Sequence, residues 1–554
     1  MILPLELEKE MFEDKNSVRR EDGDEDIQSP YDSSTDADAT IAKDAADSPS
    51  LYPVQSRIQE PESLLREIAF VGIICMAQLF TQASLAQSIP ILQILGTSFG
   101  TTNSGQLSWF AAAYSLTVGS FILVAGRLGD LFGHKRFFIA GFLWYSLWAI
   151  LAGFSVYANK NAIFFDVCRA MQGIGPAFLL PNALAILGRT YPSGRRKEMV
   201  FSIFGATAPG GYMLGAAITS LFAQLVWWPW TFWVASIMGL VCAGLGYMII
   251  PYTPSPIIDH SDGHSILSRI DVQGAVTGIA GLVLINFAWN QAPIVGWSTP
   301  YIYILLIIGF LFLCLFAWVE SRAAFPLIPG EVMTKDTGFV LGCISAGWAT
   351  FGIWMYYMWL IQSQLQGASP LLMCAHVSPV GISGLVAAIT TGLLLHRLGP
   401  GVVMLVAMCA FTTGVVLIAT LPINQIYWAQ LFVSIIVMPW GMDMSFPAAT
   451  ILLSNKMHHD NQGVAASLVN TVLNYSISLG LGFAGTIETH INPGGTSQGD
   501  LLKGYRSALY FGIGLAGLGV MCAFSFIVSH KLEMRKIEVE EEKVDGKSGS
   551  VTPV

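Results

Sequence analysis

An all-α protein threaded many times through a membrane is the fold class this sequence predicts, and three observations carry that prediction. Of 554 residues, 53% are hydrophobic and only 12% charged, where a soluble domain carries about 25% charged residues. Fourteen apolar windows stand out, each close to the roughly 20 residues a helix needs to cross the hydrocarbon core. They lie near 68–89, 107–126, 137–155, 163–187, 201–224, 230–250, 272–290, 301–319, 338–361, 372–396, 402–420, 427–452, 465–486 and 508–530. The third observation is loop charge. With the N-terminus inside, the inner loops hold twelve Lys and Arg residues and the outer loops only Lys160, Lys503 and Arg506. Cytoplasmic loops retain such residues, so both termini are expected in the cytoplasm.

The first window is preceded by a polar stretch, residues 1–67, rich in Asp, Glu and Ser (EDGDEDIQSPYDSSTDADAT). It reads as a disordered acidic cytoplasmic tail. No short apolar segment with a cleavage site precedes the windows, so the first helix is expected to direct insertion. Residues 531–554 read as a second solvated tail, and the net charge of −9 belongs largely to these two ends. It does not imply a nucleic-acid partner. The eight cysteines are scattered without the spacing of a zinc site or disulfide framework, and are expected to act as small packing residues.

The windows divide into six, two and six. The eleven residues GRLGDLFGHKR (126–136), between windows two and three, are echoed by TGLLLHRLGPG (391–401) between windows ten and eleven. The alignment pairs Gly126 with Gly392, Leu128 with Leu394, Asp130 with His396 and Gly133 with Gly399. The echo assigns residues 68–250 to one six-helix bundle, 251–337 to linkers and an inserted pair, and 338–530 to a second bundle.

The cluster carries the pattern G-x-L-x-D-x-x-G-x-K/R-K/R, with Gly126, Leu128, Asp130, Gly133, Lys135 and Arg136 in place. A second stretch, RAMQGIGPA, places Arg169, Gln172, Gly173 and Gly175 in the fourth window. Together they resemble the signatures of the major facilitator superfamily. A looser third match is GATAPGGYMLGAA, where Pro209 would kink the fifth helix and Gly210, Gly211 and Gly215 would let it pack closely. Between about 65 and 530 the chain is similar to the fungal fourteen-spanning drug:proton antiporter group. Yeast members of its nearest branch are described for aminotriazole resistance, boron export and low-affinity ammonium transport.

The resemblance implies that the Gly126–Arg136 motif latches the outward-facing state. Physically, Asp130 and its basic neighbours lie where a loop meets two helix ends, and could bond a neighbouring helix in one conformation and release it in another. Lys135 and Arg136 could equally do no more than follow the positive-inside rule. Ionisable groups inside a membrane are costly and usually functional. Arg169, with Asp166 one turn earlier, either responds to protonation of a nearby acid or forms a structural ion pair. Asp443, between Trp440 and Phe446, is the acid best placed for proton coupling, because apolar surroundings favour the neutral carboxyl; it could instead support a helix break near Gly441 and Pro447. The cavity candidates are Gln78, Gln82, Asn182, Asn470 and Asn474, while Asn286 and Asn290, in the inserted pair, are poorer ones. Trp109 and Tyr114 match the subgroup or belong to the aromatic belt. His458 and His459 fall in an inner loop.

No GxxxxGK[ST] occurs. The expected activity is therefore secondary transport driven by a proton gradient, with no bound cofactor and no enzymatic chemistry. Export of small toxic compounds leads; uptake of ammonium or another small cation, and a non-transporting sensor, are the alternatives. The expected partners are a small-molecule or small-ion substrate and the lipid bilayer. The plasma membrane is the expected address, the vacuolar membrane the other possibility.

Overall fold

The computed structural model describes residues 63–191, 194–252, 266–454 and 462–548. Most of the acidic N-terminal segment, most of the linker at 251–271, His458, His459 and the last six residues lie outside them. Fourteen long helices cover the described chain. These are α1 Leu64–Ala86, α2 Ser104–Phe132, α3 His134–Phe154, α4 Ala162–Thr190, α5 Arg195–Leu225, α6 Pro229–Ile249 and α7 Val272–Val295. The second seven are α8 Pro300–Glu320, α9 Lys335–Leu360, α10 Pro379–Leu398, α11 Pro400–Ala419, α12 Gln430–Ser454, α13 Gln462–Ile491 and α14 Gln498–Ser548. Among the described residues, thirteen helical spans are both long and apolar enough to cross a membrane. The remaining one, α5, is long enough but has exchanged large apolar residues for Gly, Ala, Ser and Thr.

Local sequence explains where the helices start and stop. Asn103, Asn161 and Thr334 accept hydrogen bonds from the free N–H groups of the first turns of α2, α4 and α9. Proline opens α6, α8, α10 and α11, where its missing N–H costs nothing. The two echoed loops end their helices alike. Gly133, at φ +101°, closes α2, and Gly399, at φ +75°, closes α10. Only glycine enters that region without strain, so the sequence echo corresponds to a repeated backbone turn.

Helices α1–α6 pack among themselves, as do α9–α14, and the halves meet where α2 lies on α13 and α5 on α10. Small residues set these approaches. A Cβ on Gly119 of α2 would stand 2.6 Å from the Tyr475 backbone nitrogen of α13. A Cβ on Gly211 of α5 would stand 2.6 Å from the Leu79 carbonyl of α1, and Gly215 is pressed as closely onto Ala83. Gly210 faces open space. Gly211 and Gly215 thus lie at the close approach of α5 to α1, and Gly210 does not.

The inserted pair is asymmetric. Helix α7 lies against both α2 and α13, while α8 touches α7 and leaves almost all of its surface outward. Asn290 of α7 donates to the Ser478 carbonyl of α13 at 3.1 Å, and Ser478 bonds the Ala112 carbonyl of α2. Asn286 and Asn290 are thus buried glue across the seam. The cysteines are all free; five are buried, but Cys314 and Cys409 are exposed on the faces of α8 and α11, so packing does not account for those two.

Candidate functional site

A cavity of about 960 Å³ lies between the halves. It runs from the middle of the bundle to Met199 near the start of α5, Pro400 at the start of α11 and Ile451 near the end of α12. All three belong to the face that carries the α2–α3 loop. Its walls are largely apolar and include aromatic and sulfur-bearing side chains: Trp348, Phe351 and Trp354 from α9, Tyr212 from α5, Met438 and Met442 from α12. Rigid, polarisable surfaces of this kind accept varied apolar shapes.

Four of the five polar candidates reach this cavity. Gln78 and Gln82 of α1 line one side, Asn470 and Asn474 of α13 another. The two asparagines donate to carbonyls one turn earlier, at 2.9 and 3.0 Å. Asn182 does not belong with them. It is fully buried, contacts His134 Nδ1 at 2.8 Å and donates to the Phe178 carbonyl at 2.7 Å. The glycine at 129 leaves the space it fills. Asn182 is therefore a brace between α4 and the α2–α3 loop, and spacing alone could not tell the two faces of α4 apart. Substituting Asn182 by Ala is expected to cost about 1–3 kcal/mol of stability, because buried partners lose their bonds. Gln82→Leu is expected to change substrate KM with little effect on stability; thermal unfolding together with transport kinetics separates the two.

Asp443 is the one carboxyl in the cavity wall among the described residues. Its Oδ2 is buried without a hydrogen-bond partner. Helix α12 carries Pro439 and Pro447 without ending, and Pro447 removes the N–H that would have served the Asp443 carbonyl. Thr391 of α10 approaches that carbonyl at 3.5 Å. Among the described residues the carboxyl itself caps nothing. Gly384 of α10 makes room for it, since a Cβ there would come within 2.8 Å of Oδ2.

Arg169 is placed elsewhere. It is fully buried among α1, α2 and α4, donating to the Ser84 carbonyl at 2.7 Å, Gln172 Oε1 at 2.6 Å and the Phe110 carbonyl at 3.2 Å. Its guanidinium lies 4.8 Å from the Tyr114 ring centroid, and Tyr114 in turn bonds the Thr81 carbonyl. Asp166 accepts from Gln106 Nε2 instead, at 2.5 Å, and no ion pair to Arg169 forms among the described residues. Trp109 packs on Phe287 of α7 with ring centroids 5.4 Å apart. Neither Trp109 nor Tyr114 belongs to an aromatic belt.

Within the charged α2–α3 motif, Arg127 donates to the Arg269 carbonyl, outside its half, at 2.9 Å, while Asp130 and Lys135 are engaged within their own half. Asp130 lies 3.3 Å from Arg189 of α4 and 3.3 Å from His134. Lys135 donates to the Tyr247 and Ile250 carbonyls at the end of α6, at 2.8 and 2.5 Å, where helix carbonyls are unserved. Arg136 stacks on Tyr252, 5.9 Å from its centroid. Gly126 approaches α13, where a Cβ would sit 3.6 Å from Ser467 Oγ.

At the opposite face the halves are joined. Trp359 Nε1 of α9 donates to Tyr212 Oη of α5 at 3.0 Å, and Tyr356 Oη of α9 donates to the Ser104 carbonyl of α2 at 3.2 Å. Glu488 of α13 accepts from Tyr357 Oη at 2.7 Å and from Ser104 Oγ at 2.5 Å. A cavity that reaches one face while the other is bonded shut is one conformation of an alternating-access device.

Comparison with known proteins agrees. The family model described as Major Facilitator Superfamily matches residues 69–481. The chain belongs to the major facilitator superfamily. A low affinity ammonium transporter of Saccharomyces cerevisiae is 62% identical over 86% of this chain and 92% of its own length. Efflux pump terJ of Aspergillus terreus is 53% identical over 85% of this chain and 89% of its own. Among solved structures, a POT family transporter in complex with 5-aminolevulinic acid aligns with a TM-score of 0.58 over 83% of this chain and 95% of that one, at 13% identity, a likeness of fold alone. This superfamily member is therefore a membrane transporter and not an enzyme.

Glu488 lies beyond the stretch matched to the superfamily and beyond the apolar window at 465–486. Sequence reasoning missed it because that window ended where polar residues began, whereas α13 continues to Ile491. The signal was a lone acid, GTIETH, within a turn of the window's edge.

Proposed function

We propose that this transporter is a proton-coupled exporter of small toxic organic compounds, driven by the proton gradient alone. The α2–α3 loop faces the cytoplasm, as the loop charges favour, and the plasma membrane is its place of action. The observation that carries this reading is the cavity. Its volume falls within the range of small-molecule sites, and its aromatic walls suit an organic guest. A bare ammonium ion, about the size of one water at roughly 30 Å³, would fill only a small part of the cavity.

Protonation of Asp443 couples the gradient to the cycle. A charged carboxylate without a partner is costly in such surroundings, so uptake and release of a proton there shift the balance between conformations. The second reading, ammonium uptake, is favoured by one finding: the relative at 62% identity is described as a low affinity ammonium transporter. Flux in a yeast strain lacking its related transporters separates the two. Efflux of boric acid or aminotriazole that a protonophore abolishes supports export. Methylammonium uptake without such efflux overturns it.

A further inference from the structure

Each half contributes to the closed face, and one element of that closure is a buried acid. Glu488 is 4% exposed. Of its two hydrogen-bonding hydroxyls, Tyr357 belongs to its own half and Ser104 to the other. The titratable groups that face it are Tyr356 and Tyr357 of α9 and Tyr505 of α14, all phenols. From α2 it meets the Ser104 hydroxyl, and no cation pairs with it among the described residues. Helix α14 approaches through Gly504, where a Cβ would come within 3.2 Å of the Glu488 Cγ.

These partners differ in kind from those of Asp130, which faces the fixed charge of Arg189. A guanidinium only donates, so it can serve a carboxylate but not accept from a carboxylic acid. A hydroxyl donates or accepts. Ser104 and Tyr357 can therefore rotate to serve either a carboxylate or a carboxylic acid. A site whose partners tolerate both forms, and which supplies no countercharge, is built to exchange a proton rather than to hold a permanent ion pair.

We infer that Glu488 is a second proton-binding residue of the transport cycle, protonated when α2 and α13 close the face opposite the α2–α3 loop and ionised when that face opens. The inference rests on the alternating-access reading, not on any substrate. With the face open, Ser104 moves away with α2, and water reaches the carboxyl and solvates its charge. Closing the face strips that water and leaves no cation in its place, so closure draws a proton from the medium on that side. Asp443 meets the opposite medium through the cavity. The two acids then sample opposite sides of the membrane.

The test is electron–electron distance measurement on the full chain in lipid nanodiscs. Spin labels go at Lys160→Cys and Asn424→Cys, both exposed at the closed face, one on each half. Cys314, Cys409 and Cys522 are replaced by Ser. Short distances report closure. The ratio of closed to open forms is expected to fall with rising pH, by up to about tenfold per pH unit near the midpoint, the limit for one linked proton. Glu488→Gln is expected to flatten the change to less than about twofold. A Glu488→Gln profile equal to that of the unsubstituted protein, or no pH dependence in the latter, overturns the inference. Ser104→Ala keeps the acid and is expected to keep the slope while moving the midpoint; an unmoved midpoint would deny the bond across the seam. Neither failure touches protonophore-sensitive flux, so the export reading is judged separately.

Discussion

Asp443→Asn is expected to lower protonophore-sensitive efflux at least tenfold while leaving the protein folded and able to bind its substrate. Asparagine has nearly the shape of the acid, and the cavity beside Gly384 has room for either. What the substitution removes is the exchangeable proton. The carboxyl oxygen that faces Gly384 has no hydrogen-bond partner, so no neighbour depends on it. Loss of flux would then trace to coupling and not to collapse. Flux should be measured beside monodispersity in detergent and beside substrate binding at equilibrium. Retained, gradient-driven efflux would move the coupling role to another acid, with half-buried Asp166 and buried Glu488 the candidates within the two bundles.

A pair of adjacent glycines gives the largest expected effect on stability. Gly211→Leu drives a side chain into the α1 backbone at Leu79, an element that cannot swing aside as a flexible side chain would. Overpacking of this kind costs about 1–3 kcal/mol, and occasionally more. Gly210→Leu, one residue away, meets nothing within 4 Å of its Cβ and is expected to be close to neutral. Thermal unfolding of the two variants in the same detergent decides the matter. Equal loss in both would mean that helix propensity or Pro209, and not contact with α1, governs this part of α5.

Much of this architecture can be read from apolar periodicity, because lipid offers the backbone no hydrogen bonds and enforces whole helices. Fourteen windows map onto fourteen long helices. The echo between 126–136 and 391–401 returns as two positive-φ glycines. Less of the site is legible. Gln82 and Asn470 line the cavity, but Asn182, of the same chemistry, does not, since a buried amide serves equally as a brace. Arg169 stood out in the sequence as a charge inside an apolar window; of its partners Gln172 is local, while Ser84 and Phe110 come from helices remote in sequence. Glu488 fell outside because hydropathy marks where lipid is met, and a helix can continue past that line when protein covers it.

The way α7 lies on the α2–α13 seam has a mechanical consequence. Lipid can press on the junction of the two halves along the α5–α10 flank, whereas along the other flank it meets α7 and α8 first. Any change of outline that accompanies opening therefore displaces lipid unequally on the two flanks. The work of bending and refilling the bilayer falls mainly on one side, and membrane thickness or tension should bias the cycle as a torque rather than as a uniform squeeze.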